Sequence, residues 1–220
     1  MLSLKFLRRL SLLALTGFAA QAHAGSGDFF KAAIFDDVPS MQKLLAQGAD
    51  PNQLDDSRGE TGMIMALHEG SSKVFTLLLQ QPGINIEAGA ANGSTALMMA
   101  SFMHNQPAVL ALLDKGAQVN RPGFAALHFA AAAGDDAIVR ILLDHHAYID
   151  AESPNKVTPL MIAAREGQQS TVKLLLEAGA DASLKTGDGN TASDLALERD
   201  KPYIARDIAA FLKAKAAAKP

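Results

Sequence analysis

Histidine is the side chain best suited to acid–base chemistry near neutral pH, and this chain has six. His23 lies in an apolar N-terminal segment. His68 precedes Glu69, His104 stands alone, His128 follows Ala126-Leu127, and His145 and His146 are adjacent. Neighbours on a helix point about 100° apart, so His145 and His146 share no face. A zinc site would need a third protein ligand, which this spacing does not supply. Arg165-Glu166 and Glu198-Arg199 read as local charge pairs on a solvated helix face. The sequence holds no G-x-S-x-G elbow, no phosphate loop and no H-E-x-x-H pair. With no Cys, thiolate nucleophiles, iron–sulfur clusters, thiolate zinc sites and disulfide frameworks are excluded. The expectation is a non-enzyme with no cofactor and no metal.

The elements that carry these residues repeat. Thr158-Pro159-Leu160-Met161-Ile162-Ala163-Ala164-Arg165-Glu166-Gly167 is followed by Val172-Lys173-Leu174-Leu175-Leu176-Glu177-Ala178-Gly179-Ala180-Asp181. Upstream the pattern returns as Ala126-Leu127-His128-Phe129-Ala130-Ala131-Ala132-Ala133-Gly134, then Val139-Arg140-Ile141-Leu142-Leu143. Copies anchor at Phe29, Met63, Leu97, Leu127, Leu160 and a degenerate Ser193, at spacings of 34, 34, 30, 33 and 33. A Leu-Leu pair recurs fifteen residues after the first five anchors, at Leu44, Leu78, Leu112, Leu142 and Leu175. A period in this range marks stacked supersecondary units.

On these residues the chain resembles the ankyrin-repeat family, whose pattern G-x-T-P-L-H-x-A-A-x-x-G…V-x-x-L-L-x-x-G-A-D-x-N it follows over 28–212. The resemblance implies an all-α fold, a solenoid of helix-turn-helix units joined by β-hairpin-like finger loops. Units are expected at about 27–58, 59–92, 93–122, 123–155, 156–188 and 189–215, within one domain over 25–215. A frayed tail follows at 216–220. His128 is then a structural hydrogen-bonding residue. Thr158 caps and Pro159 opens a helix, Gly134 and Gly167 turn between helices, and Leu142 and Leu175 fill the stacked core. Ala at anchor +3 and +4 lets neighbouring helices approach closely. The third finger, Val119 to Gly123, is three residues short, and Ala125-Ala126 replace Thr-Pro after it. The first unit reads as a cap with Lys31, Asp36, Asp37, Gln42 and Lys43 turned outward.

Composition and charge agree. The chain has 220 residues, 49% hydrophobic but only 5% aromatic, with net charge −3. Lys5, Arg8 and Arg9 precede an apolar run from Leu10 to Ala20, and Ala22-His23-Ala24 supplies small residues for cleavage. This is the layout of a secretory signal over 1–24, and its apolar run is too short for the roughly 20 residues a bilayer span needs. Its loss removes three basic residues and leaves 17 Lys+Arg against 23 Asp+Glu, a net of −6. Such a surface repels phosphate backbones. The expected product is a periplasmic, monomeric protein without nucleic acid or a membrane span. The extracellular space is the other exported destination.

Binding is the function class that remains. By the resemblance, anchor +5 and +6 and the fingers form the contact surface for another protein. That places His68, Glu69, Phe102, Met103, Arg165 and Glu166 on the helices, and Arg58, Glu60, Asn92, Arg121 and Phe124 on the fingers. Phe102, Met103 and Phe124 are apolar where water is the usual neighbour. They form either an exposed patch beside the short finger or a cluster that the finger collapses upon. A small-ligand, metal-binding or hydrolytic protein using concave His and acidic residues is one alternative function. A host-directed effector is another.

Overall fold

The computed structural model describes residues 26–217. The expected signal segment, its cleavage point, Gly25 and residues 218–220 lie outside them. Among the described residues the protein is all-α, with twelve helices and no strand. The helices follow one another in pairs, and helix packing divides the chain between Ser94 and Thr95 into two compact units. The first holds α1 (Ser26–Ile34), α2 (Val38–Ala46), α3 (Gly62–His68) and α4 (Ser72–Leu79). The second holds α5 (Ala96–Phe102), α6 (Gln106–Asp114), α7 (Ala126–Ala133), α8 (Asp136–Asp144), α9 (Pro159–Glu166), α10 (Gln169–Glu177), α11 (Ala192–Glu198) and α12 (Pro202–Ala217).

Within each unit, the first helix of a pair packs on the first helix of the next, and second helices do likewise. Small residues permit this. Ala32, Ala33, Ala130, Ala131, Ala163 and Ala164 are all buried at the helix–helix contacts. The Leu at anchor +15 is fully buried at Leu78, Leu112, Leu142 and Leu175. In the first pair Leu44 and Leu45 are only half-buried. One close approach involves Gly62, where a Cβ would lie 2.5 Å from Phe29 Cε1.

The turn inside each pair needs a left-handed residue. Gly70, Gly134 and Gly167 supply it, and Asp36, His104 and Asp200 adopt φ near 54–55° in the same place. These polar types enter that region at lower cost than most. Two of them also tie successive pairs together. Asp36 Oδ1 accepts the Val74 N–H at 2.8 Å, so Asp36 points into the next pair, not outward as its place in a cap suggests. His104 Nδ1 lies 3.0 Å from Asp135 Oδ2, while Asp135 Oδ1 accepts the Ile138 N–H and caps α8.

The first helices share one start. Thr61, Thr95, Thr158 and Thr191 each accept, through Oγ1, the N–H three residues on. The returning bond to the cap N–H draws on three kinds of acceptor over four of the pairs. Met98 Sδ takes it at 3.4 Å, His128 Nδ1 at 3.0 Å, Met161 Sδ at 3.3 Å and Asp194 Oδ2 at 2.9 Å. Thioethers are weak acceptors, yet two of them occupy the slot where the family pattern has His. Ala125 has no hydroxyl, so α7 starts on His128 alone. At the C-terminus, α12 continues through Ala217 and so runs past 215 into the segment expected to fray.

Candidate functional site

In the second unit the candidate contact residues lie at the ends of first helices and on the short finger. Phe102 closes α5 and stands edge-on to Phe129 of α7, centroids 6.4 Å apart. Phe124, at the end of the short finger, stands edge-on to His128 at 5.3 Å. Both keep nearly half their surface in water, 47% and 46%. Met103 and Arg121 are half-buried. The short finger therefore does not close over the two rings. His128 and Phe129 are successive residues of α7 and point about 100° apart, so each ring packs against α7 separately. Arg165 Nε donates to Glu166 Oε1 at 2.9 Å, which makes these two a local pair on the end of α9.

His128 is structural in detail. It is 1% exposed. Its Nδ1 accepts the Ala125 N–H, so Nε2 carries the proton and donates to the Val157 carbonyl at 3.0 Å. The side chain thus bonds α7 to the following finger. Burial holds its pKa below the ordinary histidine value, against the pull of neighbouring carbonyls.

In the first unit four of the candidates lie in two close pairs. Arg58 Nη1 donates to Glu69 Oε1 at 2.7 Å, and this carboxylate keeps the guanidinium firmly charged. His68 Nδ1 lies 3.8 Å from Glu60 Oε1. Asn92 is exposed at the tip of the second finger. Arg58 is set by its finger: Asp55 accepts from Ser57 Oγ and from the Ser57 and Arg58 amides. The Ser57 bond is the main cause of a lowered Asp55 pKa. Among the described residues no three His, Asp or Glu side chains are grouped to hold a metal ion. No helix there is long and apolar enough to cross a membrane.

Two exposed aromatics were not among the expected contacts. Phe35 is 75% exposed at anchor +6 of the first pair, and Tyr148 is 69% exposed after α8. Phe35 obeys the same +6 rule that selects Glu69 and Met103, a signal masked by reading its pair as a cap. Tyr148 follows no repeat position that the rule covers.

Paired helices with left-handed turns and finger loops define a helical-repeat protein. A family model for ankyrin repeats in three copies matches residues 29–123 and 118–186, and the chain belongs to the ankyrin-repeat family. Human SH3 and multiple ankyrin repeat domains protein 2 is 32% identical over 159 residues, covering 70% of this chain and 9% of that protein. The mouse B-cell lymphoma 3 protein homolog is 30% identical over 175 residues, covering 76% of this chain and 39% of its own length. The chain thus spans less than two-fifths of these relatives. A chain from the solved complex of the Bd0816 predatory endopeptidase of Bdellovibrio bacteriovorus with immunity protein Bd3460 superposes with TM-score 0.69. It is 25% identical, and the match covers 81% of this chain and 94% of that one. Ankyrin repeats make this chain a protein–protein interaction module.

Proposed function

We propose that the protein is an exported ankyrin-repeat scaffold of six units that binds one partner protein through its helix-1 ends and fingers. The carrying observation is the water-facing pair Phe102 and Phe124, each edge-on to a residue of α7. Large aromatic anchors dominate binding energy at protein interfaces, and an exposed apolar patch of this kind calls for an occupant. In this reading the second unit adds Arg121, Met103, Arg165 and Glu166, and the first unit, taken by itself, offers His68, Glu69, Arg58, Glu60 and Asn92. The signal ends at Ala24, and the mature protein works in the periplasm.

The structural neighbour favours one partner class. That complex pairs an endopeptidase with an immunity protein. By analogy, the partner here is an exported hydrolase that this chain restrains. Cross-linking in the cell envelope, followed by identification of the captured protein, supplies the partner. Binding is then measured with the double variant Phe102→Ala, Phe124→Ala, whose helical circular dichroism should match the parent. Loss of affinity by tenfold or more supports the patch. Undiminished binding overturns it.

A further inference from the structure

We propose that Asn92 is a self-modification site, converting through a succinimide to aspartate or isoaspartate at the tip of the second finger. Among the chain's seven asparagines only Asn92 precedes a glycine. The reaction needs the backbone nitrogen of the next residue to reach Asn Cγ. Gly93 carries no side chain to shield that nitrogen, and a Cβ built there would meet nothing within 4 Å. Asn92 and Gly93 are both exposed.

The finger holds the electrophile in place. Asn92 Oδ1 accepts the Ser94 N–H at 2.9 Å, which folds the carboxamide back over the following peptide. The same N–H polarises Cγ and faces the oxyanion that forms on attack, as a backbone donor does in acyl transfer. One bond resists the reaction: the Gly93 N–H donates to Ala90 O at 2.8 Å. It sits at a solvent-exposed tip, where local opening is least costly. On opening, the Gly93 nitrogen bonds to Cγ and the Cγ–Nδ2 bond breaks. The Gly93 amide hydrogen, relayed by solvent, leaves with Nδ2 as ammonia. Water then adds to either imide carbonyl and gives aspartate or isoaspartate.

The other tips supply comparisons. Asn155 occupies the same turn in the fourth finger, where the Lys156 N–H donates to Ser153 O at 2.8 Å. Its successor adopts φ 56° but is a lysine, whose Cβ and side chain crowd attack by that nitrogen in a way Gly93 does not. Asn52, Asn120 and Asn190 each donate their amide nitrogen to another residue. Conversion at Asn92 adds a negative charge to a unit that carries nine acidic and four basic residues between 26 and 94. The isoaspartate product also inserts a backbone methylene inside the Ala90–Ser94 closure. Any consequence for binding rests on Asn92 being a partner contact, whereas the chemistry does not.

The test incubates the folded full chain in mildly alkaline buffer at growth temperature and maps its peptides by mass over time. The expected result is an amide-to-acid mass gain at Asn92, with two chromatographic isomers, while Asn155 stays intact. Asn92→Gln, whose longer side chain disfavours the ring, should abolish the signal without altering the circular dichroism. Equal conversion at Asn155 overturns the proposal. So does an inert Asn92 in the folded chain when the urea-unfolded chain converts.

Discussion

His128 shows how one side chain sets a pH limit. Its ordinary pKa is near 6.5, and burial lowers it in the folded state. The folded protein therefore binds fewer protons at this site than the unfolded chain. Its stabilising effect is present above the ordinary histidine value and is lost as pH falls through the lower folded value. The slope from this site should reach at most about 1.4 kcal/mol per pH unit. Melting curves taken from neutral pH downward should show that fall, and His128→Gln should flatten it. An unchanged profile in the variant assigns the acid sensitivity elsewhere. Gly62 makes a second residue-scale case. Alanine is ordinarily the better helix former, but a Cβ here would press into the Phe29 ring at 2.5 Å. Overpacking typically costs about 1–3 kcal/mol, so Gly62→Ala should lower the melting temperature. A rise would show that Phe29 yields easily.

At the scale of elements, the repeat period made the helix pairs legible because it is enforced by stacking. Each pair buries apolar faces only against its neighbours. Leu142, at 0% exposure in α8, carries that dependence. Leu142→Ala should cost roughly 2–5 kcal/mol by lost transfer energy and cavity; an unchanged denaturation midpoint would remove α8 from the core. The turn residues were legible for a local reason, since only a few types enter the left-handed region cheaply. The rest depended on distant partners. Asp36 lies on a polar stretch, but the Val74 N–H claims it from 38 residues away. Met98 and Met161 look like ordinary core residues, and only the folded turn aims their sulfur at a threonine N–H. Exposure of Phe102 and Phe124 hung on whether a short finger closes over them. No periodicity encodes that outcome.

At the scale of the whole molecule, the proposed role stands or falls on export. The segment 1–24 places Lys5, Arg8 and Arg9 before an apolar run that ends near Ala20. Such a run suits the h-region of a signal, and small residues at Ala22 and Ala24 suit its peptidase. Cleavage there, as proposed, would change the protein's electrostatics as well as its address, since formal charge would move from −3 to −6 with the three basic residues gone. A partner carrying basic surface would then be drawn faster at low salt than at high salt. Expression of the full chain in a bacterium with an intact envelope, followed by osmotic-shock fractionation and intact-mass analysis, checks the first step. The expected species is periplasmic and begins at Gly25. A chain retained in the cytosol with Met1 in place would sink the exported scaffold, and with it the restraint of an exported hydrolase. The binding patch around Phe102 and Phe124 would survive that outcome, because it rests on geometry alone. Its partner would then have to be sought inside the cell.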